Sequence, residues 1–273
     1  MANVKKESSS KGGSIFSGIA IVCCFVVGVL IWKFVMGDGA NFIDGDNNNQ
    51  PLPGNYLGMI YKGGTVVPVL MGLLLMTIVF SIERFFVISK AGGKKSLDVF
   101  MKDVQSNITD GNIQGAIESC DKQQGSVANA IKAALVKYEE VKKEGFTSEE
   151  AAETIRKEIE EATSLEMPML EKNMTIISAL VSLGTLAGLL GTVTGMIKAF
   201  GALATAGAPD QAALANGISE ALINTATGIF TSLLAIVAYN YFTSKIDNLT
   251  YSIDEAATTI VNTYRRFKGS LRG

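Results

Sequence analysis

Four long apolar runs divide the chain into membrane-like and polar stretches. They cover residues 14–36, 66–89, 174–204 and 217–243. About 20 apolar residues in a helix are enough to cross a bilayer, so each run predicts one transmembrane helix. The polar stretch between the second and third runs, residues 90–173, has helical spacing. The pattern predicts an all-α, polytopic membrane protein with four transmembrane helices and one helical domain outside the membrane.

The first run, SIFSGIAIVCCFVVGVLIWKF, follows a basic tail at residues 1–13 and could also be a secretory signal peptide. The length of the run and the lack of a small-x-small cleavage site after it favour an uncleaved anchor. A lipoprotein signal is disfavoured because Val22 precedes Cys23, where a small residue is required. Residues 14–36 are therefore interpreted as an extra N-terminal transmembrane helix.

The distribution of Lys and Arg sets the predicted orientation. Basic residues concentrate in the N-terminal tail, after the second run and in the C-terminal segment, residues 244–273. The connection at residues 37–65 carries three aspartates and a single lysine, and the turn at residues 205–216 carries no basic residue. This asymmetry places both termini and residues 90–173 in the cytoplasm, with the two connections on the periplasmic side.

The cytoplasmic domain, residues 90–173, is predicted to consist of amphipathic helices. Apolar residues recur every three or four positions, as at Phe100 and Val104 or at Ile131 and Leu135. The stretch RKEIEEATSLE lacks histidine and flanks an apolar stripe, so a solvated helix face is favoured over a metal site.

Local signals set the ends of two of these helices. Gly145 is a candidate C-cap, and TSEE at residues 147–150 matches a capping box that opens the next helix. That helix is expected to kink near Pro168 and to continue into the third run as one helix.

The amino-acid composition disfavours several kinds of catalytic and metal-binding site. The 273 residues include no histidine, and the three cysteines, Cys23, Cys24 and Cys120, are not spaced for zinc or for a disulfide framework. No phosphate-binding loop or nucleotide fingerprint is present. An enzyme is therefore not expected, and neither is a cofactor, a metal or a nucleic-acid partner.

The third run contains two stripes of small residues. Its glycines are Gly184, Gly188, Gly191 and Gly195. They share one helix face, where small residues let membrane helices approach closely. Ser178, Thr185 and Thr192 recur every seven residues and form a second stripe about 100° away. Each hydroxyl could bond to a carbonyl of its own helix, but an aligned series favours a polar surface facing a pore.

The fourth run places an ionisable side chain, Glu220, near its start. The polar residues that follow it on the same face are Asn224, Thr227 and Thr231. Thr225 and Ser232 form another polar line, offset from Glu220 by about 140°. Glu220 is either a functional carboxylate inside the membrane or an interfacial side chain that extends to the outer surface, and its position alone leaves both readings open.

Three motifs carry a family resemblance. AGLLGTVTGMIKAF in the third run precedes ISEALINTATGIFTSLLAIVAYNYF in the fourth, and ERFF closes the second. The chain resembles the ExbB/TolQ/MotA family of ion-driven motor proteins over its last three membrane helices and the helices between them. The resemblance implies a homopentamer in the bacterial inner membrane, with an ExbD-like dimer in its central pore. It also implies that this complex drives a TonB-like partner.

The resemblance also implies site residues. The family's pore threonines fall on Thr192 and Thr225, its pore glutamate on Glu220, and its charged pair at the cytoplasmic end of its first helix on Glu83 and Arg84. With the polar stripes, the candidate ion pathway comprises Thr192, Thr225, Glu220, Thr185, Asn224 and Thr227. The transported ion is expected to be a proton, with sodium left open.

The chain departs from the family pattern at several positions. Thr185 and Leu234 stand where the family usually has prolines, and Lys198 adds a cation near the outer mouth. The first transmembrane helix is an addition and is expected at the periphery. A TolQ-like role in envelope maintenance or a motility stator would use the same chemistry as TonB-linked import. A structural membrane scaffold without ion flux is the alternative of another class, and the paired polar stripes argue against it.

Overall fold

A computed structural model describes residues 7–144, 146–205 and 211–270 of the chain. The candidate C-cap Gly145 and parts of the predicted basic tail and outer turn lie outside these residues. The described residues are 88% helix and contain no strand. The α-helices are α1 (Glu7–Leu30), α2 (Tyr56–Tyr61), α3 (Val67–Ala91), α4 (Leu97–Thr109), α5 (Ile113–Gln123), α6 (Ser126–Lys143), α7 (Ser148–Glu171), α8 (Met174–Thr205) and α9 (Gln211–Ser270).

Among the described residues, four stretches contain a helix long and apolar enough to cross a membrane. They are Ser17–Met36, Gly64–Ala91, Ser148–Leu203, which covers both α7 and α8, and Gln211–Arg266. The predicted all-α class with four candidate membrane-spanning helices is confirmed, and the homopentamer stays a prediction.

The chain divides into two compact units. Met1–Ile82 and Asn173–Tyr239 form one, called the membrane unit here, and Glu83–Lys172 and Asn240–Gly273 form the other, called the helical unit.

In the membrane unit, α1 packs against α3 through glycine. A Cβ atom added to Gly28 would lie 2.9 Å from the Gly72 nitrogen and 3.1 Å from the Pro68 carbonyl oxygen, so the two backbones are in contact. The Phe25 ring covers Gly72. Most other large apolar side chains of α1, such as Val22, are exposed and are available to lipid.

The segment between α1 and α3 packs against the C-terminal end of the first span. Ile31–Met36 continues α1 as a π-helix, and Trp32 stacks on Tyr61 with ring centroids 4.9 Å apart. The Asn41 amide donates to the carbonyls of Val35 and Met36 at 2.8 and 3.0 Å. These bonds satisfy carbonyls that a helix end leaves without partners.

The helical unit buries the apolar faces that the spacing predicts. Phe100, Val104, Ile131 and Leu135 are all 1% exposed or less. The capping box at Thr147 and Glu150 is present, with the Thr147 amide donating to the Glu150 carboxylate at 3.0 Å. The C-terminal part of α9 joins this core through an edge-to-face contact of Tyr264 with Tyr138, with ring centroids 5.0 Å apart.

The prediction that one kinked helix passes Pro168 into the third span is wrong. Pro168 lies inside α7, which ends at Glu171, and the break follows at Lys172 and Asn173. Asn173 has a φ of 63°, a left-handed conformation that asparagine tolerates better than most residues. Its carbonyl then accepts hydrogen bonds from the amides of Ile176 and Ile177 and starts α8 as a separate helix.

Candidate functional site

Helices α8 and α9 meet along a line of small residues, called the small-residue seam here. Its members are Gly184, Gly188, Gly191 and Gly195 on α8 and Gly217, Ala221 and Gly228 on α9. A Cβ atom on Gly188 would lie 3.0 Å from the Asn224 carbonyl oxygen, and one on Gly195 would lie 2.8 Å from the Ala221 nitrogen. The helices run antiparallel, since Gly184 faces Gly228 while Gly195 faces Gly217. All four glycines of the predicted stripe therefore contact α9 of the same chain.

Two pairs of hydroxyl groups cross one edge of the seam. The hydroxyls of Thr192 and Thr225 hydrogen-bond to each other, and the Thr185 hydroxyl donates to the Ser232 hydroxyl at 2.8 Å. Within each helix the two residues are seven positions apart, about 10 Å along the axis. These four residues are called the hydroxyl row. Thr185, at the position where the family usually has proline, uses its side chain for a contact that proline could not make.

The hydroxyl row also bonds to backbone carbonyls. Thr192 donates to the Gly188 carbonyl at 3.3 Å, and Thr225 donates to the Ala221 carbonyl at 3.1 Å. The two protons serve three possible bonds, so at any moment one threonine donates to a carbonyl of its own helix while the other donates either to its own carbonyl or to the first hydroxyl. A hydroxyl has one proton to donate and two lone pairs to accept with, so this pair can exchange donor and acceptor roles.

Glu220 faces the interior of the membrane unit. The residue is 9% exposed, and its carboxylate accepts a hydrogen bond from the Lys198 ammonium at 2.5 Å. The carboxylate lies against Gly64, whose φ of 78° and lack of a side chain leave the space that it occupies. Glu220 is therefore held in an ion pair between α8 and α9, beside the segment that leads into α3.

Asn224 and Thr227 follow Glu220 on the same buried side of α9. Asn224 is 0% exposed, and its amide donates to the Gly63 carbonyl at 2.8 Å. Its side-chain oxygen is buried and has no hydrogen-bond partner among the described residues. The Thr227 hydroxyl donates to the Ile223 carbonyl of its own helix at 2.9 Å. The structure thus places Glu220, Asn224 and Thr227 on one line and Thr185, Thr192 and Thr225 on another.

A cavity of about 580 Å³ opens above Glu220 in the membrane unit. Leu52 and Met59 of the connection between α1 and α3 line it, together with Lys62, Lys198 and Asn216. Burial lowers the pKa of Lys62, and the nearby Asp46 carboxylate partly opposes that shift. The Lys62 ammonium donates to the Asn48 backbone carbonyl at 3.0 Å. This bond joins two parts of the connection between α1 and α3.

Glu83 and Arg84 lie in the helical unit, where the arginine caps the C-terminal end of α7. Arg84 is 1% exposed and makes two hydrogen bonds to the Glu83 carboxylate. Its remaining guanidinium nitrogen donates to the carbonyls of Met169 and Leu170, each at 3.1 Å. The last carbonyls of a helix lack partners within it, and a cation is favourable there. The pair thus fixes the carbonyl end of α7 directly before the break at Lys172.

Sequence reasoning missed several members of the site. The α9 side of the seam could have been predicted from the sequence. Gly217, Ala221 and Gly228 recur at i, i+4 and i+11, three of the four positions of the α8 stripe. The pairing of Lys198 with Glu220 carried no local signal, because it depends on the register of the two helices.

Comparison with known proteins identifies the domain that holds this site. Residues 123–255 match the sequence profile of the MotA/TolQ/ExbB proton channel family. The chain carries a MotA/TolQ/ExbB family domain. The domain includes the hydroxyl row, the small-residue seam and Glu220, whereas Glu83 and the first two spans precede it.

Relatives extend the similarity beyond this domain. The chain is 28% identical to the Tol-Pal system protein TolQ of Pseudomonas aeruginosa over 65% of its own length and 80% of that protein. It is 29% identical to a putative ExbB-like biopolymer transport protein of Synechocystis over 75% of its own length and 93% of that protein. It is 30% identical to the biopolymer transport protein ExbB of Xanthomonas campestris over 50% of its own length and 57% of that protein. The resemblance to ExbB and TolQ is confirmed.

Proposed function

We propose that the chain is the ion-pathway subunit of an energy-transducing motor in the bacterial inner membrane. A homopentamer of the chain surrounds an ExbD-like dimer and converts the proton-motive force into mechanical work on a TonB-like protein. That work energises import across the outer membrane. Both termini and the helical unit lie in the cytoplasm, as the distribution of Lys and Arg predicts.

The hydrogen bond between Thr192 and Thr225 is the observation that carries this proposal. It joins two apolar, antiparallel helices at the positions of the family's pore threonines. Two hydroxyls offer donors and acceptors without a fixed charge, so they can bond to a passing proton carrier or its water and then release it.

The partner supplies the group that takes up the ion. The family resemblance implies an aspartate on the ExbD-like helix, facing the hydroxyl row. Protonation neutralises that aspartate and removes its preference for a polar surface, so the partner helix can move to the next subunit. A membrane potential supplies about 2.3 kcal/mol per charge per 100 mV, so several protons contribute to each mechanical event.

The ion pair of Glu220 and Lys198 has a different part in this proposal. Lys198 already neutralises the carboxylate, and the two side chains link the outer ends of α8 and α9. Glu220 therefore holds the outer end of the pathway in register, and the hydroxyl row contacts the carrier.

A TolQ-like role is the second candidate. The similarity to TolQ of Pseudomonas aeruginosa along 80% of that protein favours it. The chemistry at the hydroxyl row would be the same, and the partners and the process would differ.

Co-expression with an ExbD-like protein of the same genome tests the proposal. In a host without its own ExbB and ExbD, the two proteins should purify together and restore outer-membrane uptake that a protonophore abolishes. Restored detergent resistance in a host without TolQ, with no effect on uptake, would favour the TolQ-like role. Failure of the ExbD-like protein to purify with the chain would contradict the motor itself.

A further inference from the structure

The helical unit contains an apolar pocket of about 390 Å³ between the end of α3, the start of α4 and α9. Ile88, Phe242 and Leu249 form its buried floor, each less than a tenth exposed. Gly92 contributes open space at the wall, because a Cβ atom added there would meet only ordinary contacts, the nearest being Leu249 at 3.7 Å. A volume of about 390 Å³ accommodates several methylene groups.

The pocket lies where the apolar runs of α3 and α9 end. Ser89 and Lys90 close the run in α3, and Thr243, Ser244 and Lys245 close the run in α9. A change from apolar to basic residues marks the boundary between the hydrocarbon and the headgroups. The pocket is therefore at the depth where a phospholipid has both its acyl chains and its phosphate.

The rim of the pocket carries groups suited to a headgroup. Lys245 is exposed and lies 5.8 Å from the centre of the Tyr241 ring, and among the described residues its ammonium has no carboxylate partner. Ser89 and Asn248 add exposed polar side chains to the same rim. Tyr241 and Phe85 are about half exposed, as aromatic residues at a membrane interface are.

We propose that this pocket binds an anionic glycerophospholipid, with an acyl chain on the apolar floor and the phosphate at Lys245. The available ammonium distinguishes this ligand from a zwitterionic lipid, because the second headgroup charge of phosphatidylcholine offsets the attraction. The site is formed by the chain itself and does not depend on which process the chain energises.

Native mass spectrometry of the purified full-length protein in detergent tests the site, with dioleoyl phosphatidylglycerol and dioleoyl phosphatidylcholine as probes. The parent should bind phosphatidylglycerol more tightly. Lys245→Gln should weaken that binding by about fivefold, the effect of one basic residue at a lipid surface. Lys94→Gln is the matched control, because Lys94 is an exposed lysine that does not line the pocket.

A second variant tests the acyl-chain pocket. Gly92→Leu fills the space beside Leu249 without a backbone clash and should weaken binding of both lipids, while Lys245→Gln affects mainly the anionic one. Equal losses in Lys245→Gln and Lys94→Gln would overturn the headgroup assignment. Unchanged binding in Gly92→Leu, or equal affinity of the parent for both lipids, would overturn the proposed site.

Discussion

The Thr192 and Thr225 hydroxyls lie within hydrogen-bond distance of each other and of the same backbone carbonyl. The Ala221 carbonyl accepts from Thr225 at 3.1 Å and lies 3.5 Å from the Thr192 hydroxyl on the opposite helix. This meeting depends on Gly195, which faces Ala221 and lets the two backbones touch. The glycine stripe and the hydroxyl row are therefore one arrangement, in which missing side chains bring two short polar groups within bonding distance.

Larger side chains in the small-residue seam are predicted to destabilise the protein. Gly188→Leu should destabilise the protein by about 1–3 kcal/mol, because its side chain would meet the backbone of α9. Thermal unfolding in detergent measures the effect. Gly201→Leu is the matched control on the same helix, since an added Cβ atom there meets nothing within 4 Å. Equal stability of the two variants would show that the seam does not hold α8 and α9 together.

The stability of the protein is predicted to depend on the shape of the Arg84 guanidinium group as well as on its charge. Arg84→Lys keeps the charge but loses the fork that reaches Glu83 and two carbonyls together, so stability should fall by about 1–3 kcal/mol. Arg156→Lys provides the control, because Arg156 pairs with Glu160 on the exposed surface of α7. Chemical denaturation should separate the two variants. A fully stable Arg84→Lys protein would show that the end of α7 needs no such contact.

Lys198 and Glu220 are predicted to be energetically coupled. Glu220→Gln and Lys198→Met should each destabilise the protein, and the double variant should cost less than the sum of the two. Lys198 is about half exposed, so a coupling of about 1 kcal/mol is expected and not the larger value of a buried pair. A double-mutant cycle of unfolding temperatures in detergent measures it. Additive losses would show that the pair contributes nothing to the contact between α8 and α9.

Cysteine labelling in intact cells tests the proposed orientation. After replacement of Cys23 and Cys24 by alanine, a membrane-impermeant maleimide should label Asn48→Cys but not Asp110→Cys. The remaining thiol, Cys120, is a silent background, because burial raises its pKa to about 12 and keeps it protonated at neutral pH. Labelling of Asp110→Cys in unbroken cells would reverse the orientation.

Much of the architecture was predictable because it follows helical periodicity. The offset of about 140° between the lines of Glu220 and Thr225 came from rotation per residue alone. In the structure both lines reach α8, Glu220 through Lys198 and Thr225 through Thr192. The break before α8 was not predictable in the same way. Pro168 is the stronger local signal, whereas the end of α7 is set by Asn173 and by Arg84, which lies far away in the sequence.

Helical periodicity also could not predict which residues the site residues contact on the neighbouring helix. A helical pattern gives the face of Glu220 but not the residue opposite it, because Lys198 reaches it only in the antiparallel register of the seam. The same limit applies to Thr185 and Ser232, which were assigned to separate stripes and meet across the helices.

Removal of the hydroxyl pair tests the proposed ion pathway most directly. Valine keeps the branched shape of threonine without its hydroxyl, so Thr192→Val combined with Thr225→Val separates packing from polarity. Serine at both positions keeps the hydroxyls and loses the methyl groups. Protonophore-sensitive uptake is measured in cells that contain equal amounts of assembled complex.

The double valine variant is predicted to assemble as the parent does and to lose gradient-driven uptake, while the double serine variant retains more activity. Uptake by the double valine variant at the parent's rate would contradict the pathway. It would show that Thr192 and Thr225 serve only the bonds within and between their own helices.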